Sequence, residues 1–481
     1  MEIIQIPKTE YEALKKENEA LKKENEALKS EIEILKGLIV ALTNEIAELK
    51  AKINKNSNNS NKPPSSDGPK KQTIKNSRVP SGKNTGGQPG HEGKTKPLTS
   101  SPDTVIELKP IEGCECGGQV VVKNENYTVR QVSDIINPRL ITVEYRAKDG
   151  ACADCGKEYK ASFPMGVEGV VSYGENLQAI VTYLNVYQLL PMKRTTELIK
   201  DLFGIDISQA TVISSGEEAY KNLEPTEKRI KEDVIGSEVA GFDETGMRVA
   251  GKNYWLHTAS TDTCTVYSIH PKRGKEAMDA MGILPKFRGT AIHDHWKSYY
   301  HYLCAHGECN QHHLRHLKYL YEELGCEWAY EMACLLLRVK RHVDLTKLFV
   351  ASSEANSLEQ EDIEIYERMY REILGNAQKT IEESPLESQR MVKRLLRYEQ
   401  ETLLFMYDFA VPFTNNGAER DVRMPKAKQK ISGGFRTIKG ADVFARVRGY
   451  ISTVKKRDKN VLDGLNAVFR KESLNFLFPA L

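Results

Sequence analysis

Three acidic residues stand where a chain could bring carboxylates to one point: Asp243 in GFDETG, Asp294 in HDHW and Glu419 in NNGAER. Their oxygens are hard ligands that suit Mg²⁺, with Mn²⁺ as an alternative, and leave coordination positions open for substrate oxygens. Two such ions about 4 Å apart support in-line attack at phosphorus, activating the nucleophile and stabilising the leaving oxygen. That chemistry requires no nucleophilic side chain, so the serines and tyrosines need not be catalytic. Among 66 acidic residues, however, spacing alone selects no triplet, because any carboxylate can be a solvated surface charge. The elements that carry the three must decide.

After residue 235 the pattern becomes strand-like in SEVAGFDETG, GKNYWLHTAST and CTVYSIHP, each ended by a polar or turn-forming stretch. A helical GKEAMDAMGIL follows, then the short apolar GTAIHDHW, which ends in Asp294. Strand, strand, strand, helix, strand is the opening of an RNase H-like α/β fold. Neighbouring side chains on a strand face opposite ways, so Asp243 and Glu244 cannot both point into one site. Asp243, closing the apolar run 239–242, is the candidate, and Glu244 is expected to turn away. Residues 414–417 read as a helix start, which puts Glu419 in the first turn, Arg420 beside it, Arg423 one turn on and Asp421 on another side. From Arg420 to Arg457 there are twelve Lys or Arg against Asp421 and Asp442, the strongest positive stretch of the chain. DNA is the partner this implies, with Arg420, Arg423, Lys426, Lys428, Lys430 and Arg436 as phosphate contacts.

Upstream, Cys114 and Cys116 pair with Cys152 and Cys155 around two strand-like stretches. Four thiolates on Gly-containing turns suit a structural Zn²⁺ in a small zinc-ribbon-like β domain. The C-x-C spacing is shorter than the usual two-residue gap, and four free thiols are the alternative. RTTELIKDLFGIDISQATVISSGEEAY reads as a helix, a break at Gly204 and a second helix capped by Ser208. In a helix-turn-helix the early residues of the second helix, here Gln209 and Thr211, meet base edges; short helical hairpins without a DNA role share the pattern. Seven of the eleven histidines lie between His293 and His316, with Cys304 and Cys309. Cys309 and His312 on one helix face supply only half of a zinc shell, so a structural role near the site is expected for them.

At the N-terminal end, Leu14, Leu21, Leu28, Leu35, Leu42 and Leu49 mark position d of six heptads, with Ile32, Ile39 and Ile46 at a. Glutamates at g face lysines at e five residues later, so a parallel homodimeric coiled coil is expected. The following stretch is nearly free of apolar residues and rich in lysine, a flexible basic tether for DNA phosphates or a plain solubilising spacer.

The expected organisation is multidomain. A leucine-zipper coiled coil covers 8–52, a basic disordered linker 53–100, and the zinc-ribbon-like domain 101–165. A helical, helix-turn-helix-like DNA-binding region covers 170–232. The α/β RNase H-like catalytic domain is split into 233–316 and 411–481, the second part including the basic C-terminal region, with an all-helical insertion at 317–410 between them. The net charge of +3 over 481 residues says little about partners by itself. With no apolar run of about 18 residues or signal-like start, and with nine unevenly spaced cysteines, the expectation is a soluble, cytoplasmic protein with no membrane role.

The strings NKPPSSDGPKK, GGQPGHEGKT, GFDETGMRVAGKNYWLHTAST, HPKRGKEAMDAMGILPKFRG, HDHWKSY, CNQHHLRHLK and TNNGAERDVRMPKAKQKISGGFRT resemble, in order and over nearly the whole chain, the insertion-sequence 66 family of transposases. The resemblance implies a zipper, a zinc-binding domain and an Asp-Asp-Glu catalytic domain with a helical insertion. Its triad falls on Asp243, Asp294 and Glu419, and Cys309 and His312 resemble a Cys-x-x-His element that shapes such sites. It also implies binding of the element's terminal inverted repeats and target DNA, strand cleavage, joining of 3′-hydroxyl ends, and accessory proteins of the same element. Two other readings share the residues: an RNase H-like nuclease or resolvase without strand transfer, and a dimeric DNA-binding regulator.

Overall fold

In this computed structural model, the structure describes residues 7–54, 172–349 and 355–479, with short stretches between 99 and 163. The heptad leucines lie on one helix, α1 (Lys8–Asn54), and keep between 50% and 56% of their surface exposed. Residues 55–98, expected as the tether, lie outside the described residues, as do Cys114, Cys116, Cys152 and Cys155. Two short antiparallel strands, β1 (Asp149–Ala151) and β2 (Glu158–Lys160), flank the segment that holds the second cysteine pair.

A helical layer precedes the sheet: α2 (Glu175–Thr182), a π turn at Tyr183–Tyr187, α3 (Met192–Phe203), α4 (Gln209–Asn222) and α5 (Glu224–Ile235). The break between α3 and α4 has the expected chemistry. Gly204 ends α3 at φ +68°, where a side chain would be strained, and Ser208 caps α4 by accepting the Thr211 N–H. Val181, Ile199, Ile207 and Val212 form a small core there.

The sheet begins with β3 (Val239–Val249), β4 (Lys252–Ser260) and β5 (Thr265–His270), an antiparallel meander. Ala250 and Gly251, at φ +50° and +74°, make the two-residue turn between β3 and β4, a geometry whose twist matches the strands it joins. After α6 (Lys275–Met281) the chain enters β6 (Thr290–His293), parallel to β3, and then β7 (Ala305–Glu308), parallel to β6. The strand order is β5-β4-β3-β6-β7. β6 is buried at Ala291, Ile292 and His293 in succession, as a central strand covered on both faces must be.

Five helices follow: α7 (Asn310–Leu324), α8 (Glu327–Phe349), α9 (Gln360–Lys379), α10 (Leu386–Arg397) and α11 (Glu399–Tyr407). Met332, Leu335, Leu336, Val339 and Val343 recur at helical spacing on α8 and meet Tyr370, Leu374, Met391 and Leu395 in a core largely of the insertion's own. Each such side chain, once fully buried, contributes about 1.5–3 kcal/mol. The chain then returns through α12 (Asn416–Ser432), α13 (Ile438–Lys456), α14 (Val461–Phe469) and α15 (Ser473–Leu477). α13 packs against β5, with Gly449 so close to the strand that a Cβ there would lie 3.2 Å from the Thr265 carbonyl oxygen. No described helix is long and apolar enough to cross a membrane.

Candidate active site

Gly241 fixes where α12 meets the sheet. A Cβ on it would lie 2.3 Å from Asn415 Oδ1 and 3.3 Å from the Ala418 Cβ, so a side chain there would have to displace the Asn415 amide. Asn415 Nδ2 donates to the Phe242 carbonyl at 2.7 Å. The start of α12 is thereby seated beside Asp243, and Glu419 follows one turn later. Asp294 leaves the end of β6, the parallel neighbour of β3. Strand, strand end and helix start thus bring the three carboxylates into one neighbourhood.

The electrostatics record that convergence. Burial, and then the charges of Glu244, Asp294 and Glu419, hold the Asp243 carboxyl well above the usual range. Asp294 is pushed up to about 6 by burial and by Glu244, with Arg273 and the Trp296 N–H opposing. A buried carboxylate raised by the negative charges around it, as Asp243 is, lacks positive charge, and a divalent cation supplies it. The donor set is all oxygen and all acidic, which fits Mg²⁺ or Mn²⁺.

Glu244 does face away from Asp243, but into a second interior rather than to solvent. Its side chain is 1% exposed and pairs with Arg273 Nη2 at 2.5 Å. Arg273 Nε donates to the same carboxylate at 2.7 Å, and the Tyr299 hydroxyl donates to the other oxygen at 2.5 Å. The Arg273 guanidinium lies 4.0 Å from the Trp296 ring and 5.0 Å from the Trp255 ring, and its Nη2 is 3.8 Å from Asp294 Oδ2. Sequence reasoning missed Arg273. The usable signal was a tryptophan two residues after Asp294, a flat partner for a guanidinium.

Within the histidine-rich segment two groups border the carboxylates. Glu308 on β7 accepts from Tyr300 at 2.7 Å and bonds His313 at 2.6 Å, both side chains 1% exposed. Burial alone would raise Glu308, but His313 and the two hydrogen bonds bring it down to about 2. Cys309, on the other side, donates to Glu419 Oε1 at 3.5 Å and accepts the Asn415 N–H at 3.2 Å. Burial, then the Glu419 charge, pushes its thiol up to about 12. Cys309, His312 and Glu419 place one ligand atom each within 4.8 Å of one another, a group able to hold a metal ion. Arg315 Nη2 stands 4.0 Å from the other Glu419 oxygen.

Along the basic stretch, Arg420, Arg423, Lys430 and Arg436 are exposed, whereas Lys426 and Lys428 are half-buried. Lys426 donates to the Gly246 carbonyl at 2.6 Å. Further on, Arg446 pairs with Glu227, Arg457 pairs with Asp233 and Arg448 is buried, so part of the run serves packing. Asp421 points inward too, accepting from Ser260, Thr265 and Lys456. In the helical layer Gln209 is exposed, and Thr211 is half-buried with its N–H committed to the Ser208 cap.

None of the curated proteins compared with the chain matches it. Residues 9–97 match a family of unknown function. Residues 170–443, more than half of the chain and including Asp243, Asp294 and Glu419, match the family described as Transposase IS66 family. The chain therefore belongs to the IS66 family of transposases, nucleic-acid-processing enzymes.

Proposed function

We propose that this chain cuts the ends of an insertion sequence and joins the freed 3′-hydroxyls to target DNA, with Asp243, Asp294 and Glu419 as its catalytic carboxylates. The observation that supports the reading is their proximity: after burial and Glu244, the charges of Asp294 and Glu419, the latter 176 positions away, raise the Asp243 carboxyl. The order β5-β4-β3-β6-β7, three antiparallel strands and then two parallel ones, supports an RNase H-like domain. Asp243, Asp294 and Glu419 would hold Mg²⁺, which would supply the charge that activates the attacking hydroxyl and neutralises the leaving oxygen. The chain's own groups set the geometry. Asn415 seats Glu419 against β3, Arg273 braces Asp294, and exposed Arg420, Arg423, Lys430 and Arg436 hold the DNA backbone beside the site. Gln209 and Thr211 are proposed to read base edges from α4.

Two other parts of the chain fit this activity. Joining two ends requires two active sites, and the half-exposed leucine seam of α1 supplies a parallel self-pairing surface. Cys114, Cys116, Cys152 and Cys155 are proposed to hold one structural Zn²⁺.

The test is a strand-transfer assay on the element's own ends with Mg²⁺. Asp243→Asn, Asp294→Asn and Glu419→Gln keep volume and remove charge, and each should abolish cleavage and joining while DNA binding persists. Full activity in any one of them removes that residue from the site. Cleavage without joining in the wild type would make the chain a nuclease.

A further inference from the structure

From sequence, Cys309 and His312 supply only half of a zinc shell and a structural role is expected for them; the fold adds a third possible ligand, Glu419, from 107 residues beyond His312. Cys309 Sγ lies 3.5 Å and His312 Nδ1 3.7 Å from Glu419 Oε1. Zinc bonds of about 2.3 Å to sulfur and 2.0–2.2 Å to nitrogen and oxygen, at tetrahedral angles, place sulfur about 3.6 Å and nitrogen about 3.4 Å from a shared carboxylate oxygen. Both separations from Glu419 match a shared ion, and all three ligand atoms lie within 4.8 Å of one another. His312 Nδ1 is buried and has no hydrogen-bond partner among the described residues, which is the state of a ligand without its metal. Around the cluster, the Asn415 N–H donates to Cys309 Sγ, the kind of contact that orients a metal-bound thiolate. The Cys309 N–H, donating to the His293 carbonyl at 2.9 Å, ties the ligand to the strand that delivers Asp294.

We infer that Cys309, His312 and Glu419 form a binding site for a soft divalent cation, Zn²⁺, that takes Glu419 away from the catalytic carboxylates and so inhibits the enzyme. Sulfur and imidazole disfavour Mg²⁺ and favour zinc, whereas Asp243 and Asp294 have the reverse preference. Glu419 is the one ligand both sites require. Zinc entry replaces the Cys309 thiol proton, which leaves to solvent, and the fourth coordination position stays open to water. The inhibitory half rests on Glu419 being catalytic, as proposed above; the binding half does not.

Full-length protein titrated with Co²⁺ as the zinc probe tests the binding half. Thiolate-to-cobalt absorbance is read as the difference between wild type and Cys309→Ser, so that any ion at the other cysteines cancels. The difference should saturate at about one Co²⁺ per chain, and His312→Gln should weaken it by about tenfold or more. Cleavage at fixed Mg²⁺ with rising Zn²⁺ tests the other half. Relative to its own zinc-free rate, each variant should need about tenfold more Zn²⁺ for half inhibition than wild type. Identical cobalt spectra in wild type and Cys309→Ser overturn the site. A lost band with unchanged zinc inhibition overturns the competition for Glu419. Full Mg²⁺-dependent activity in Glu419→Gln would remove the catalytic reading instead and leave the cobalt result standing.

Discussion

The pair formed by Glu244 and Arg273 permits a prediction with unequal arms. Glu244 is 1% exposed at its side chain and Arg273 is 37% exposed, so the two charges differ in their access to water. Arg273→Gln leaves a carboxylate in the interior with Tyr299 as its remaining side-chain donor among the described residues, and stranding one charge of a buried pair costs about 3–5 kcal/mol. Glu244→Gln leaves a guanidinium that still reaches solvent and lies between two indole rings; its cost should be smaller, about 1–2 kcal/mol. In the double variant neither charge is stranded. Its loss should fall short of the sum of the single losses by about 1–3 kcal/mol. Urea unfolding of the four proteins at neutral pH measures all three differences. Because Arg273 stands 3.8 Å from Asp294, both single variants should also cut DNA more slowly while binding it as before. Equal single losses that add within about 0.5 kcal/mol would refute the coupling, and Glu244 would then be the inert neighbour that strand alternation suggests.

Gly241→Ala places a methyl 2.3 Å from Asn415 Oδ1; the shifted start of α12 should lower the cleavage rate about a hundredfold, and a wild-type rate would show that Asn415 yields freely. Asp294 is raised to about 6 by burial and by Glu244, so its contribution to stability is fully present below about pH 4 and is lost as pH rises through about 6. Without metal the loss is about 2 kcal/mol above that range, reduced by the 29% exposure of the side chain. Mg²⁺ should therefore raise the melting temperature at pH 7.5 and hardly at pH 4.5; an equal rise at both speaks against carboxylate binding. Removing residues 1–52 should convert a dimer to monomer in solution mass measurements, and an unchanged mass would take α1 out of the assembly.

The elements that carry the proposed site residues were legible because they have local signatures. Asp243 and Asp294 end apolar strand runs, Glu419 follows a helix start, and Gly204 with Ser208 marks a helix break. The meander and the later parallel strand follow from the same patterns. What sequence could not supply was the far side of each element. Alternation correctly turned Glu244 away from Asp243, but β3 is a central strand between two interiors, so away meant Tyr299 and Arg273 rather than water. Asp421 was correctly set on another side of α12 from Glu419, and that side faces Ser260, Thr265 and Lys456. Neither residue is therefore an innocuous control for the carboxylate substitutions. The Cys309 contact to Glu419 spans 110 residues, a separation at which no local spacing carries information.

That span also explains how the helices between β7 and α12 can interrupt the proposed active site. The chain leaves the sheet at Cys309 and comes back at Asn415, and the two points are bonded to each other: Asn310 N–H donates to the Phe413 carbonyl at 3.1 Å, and Asn415 N–H to Cys309 Sγ at 3.2 Å. An excursion whose ends coincide does not load the sheet, and its closure entropy grows only with the logarithm of its length. Its interior, built on residues such as Met332, Leu336 and Tyr370, can change while the distance between Asp294 and Glu419 stays set by the junction. Changes at Cys309, Asn310 or Asn415 act on that distance directly. The insertion's effect on catalysis should therefore pass through the few residues at its two ends, where the strand that carries Asp294 and the helix that carries Glu419 are joined.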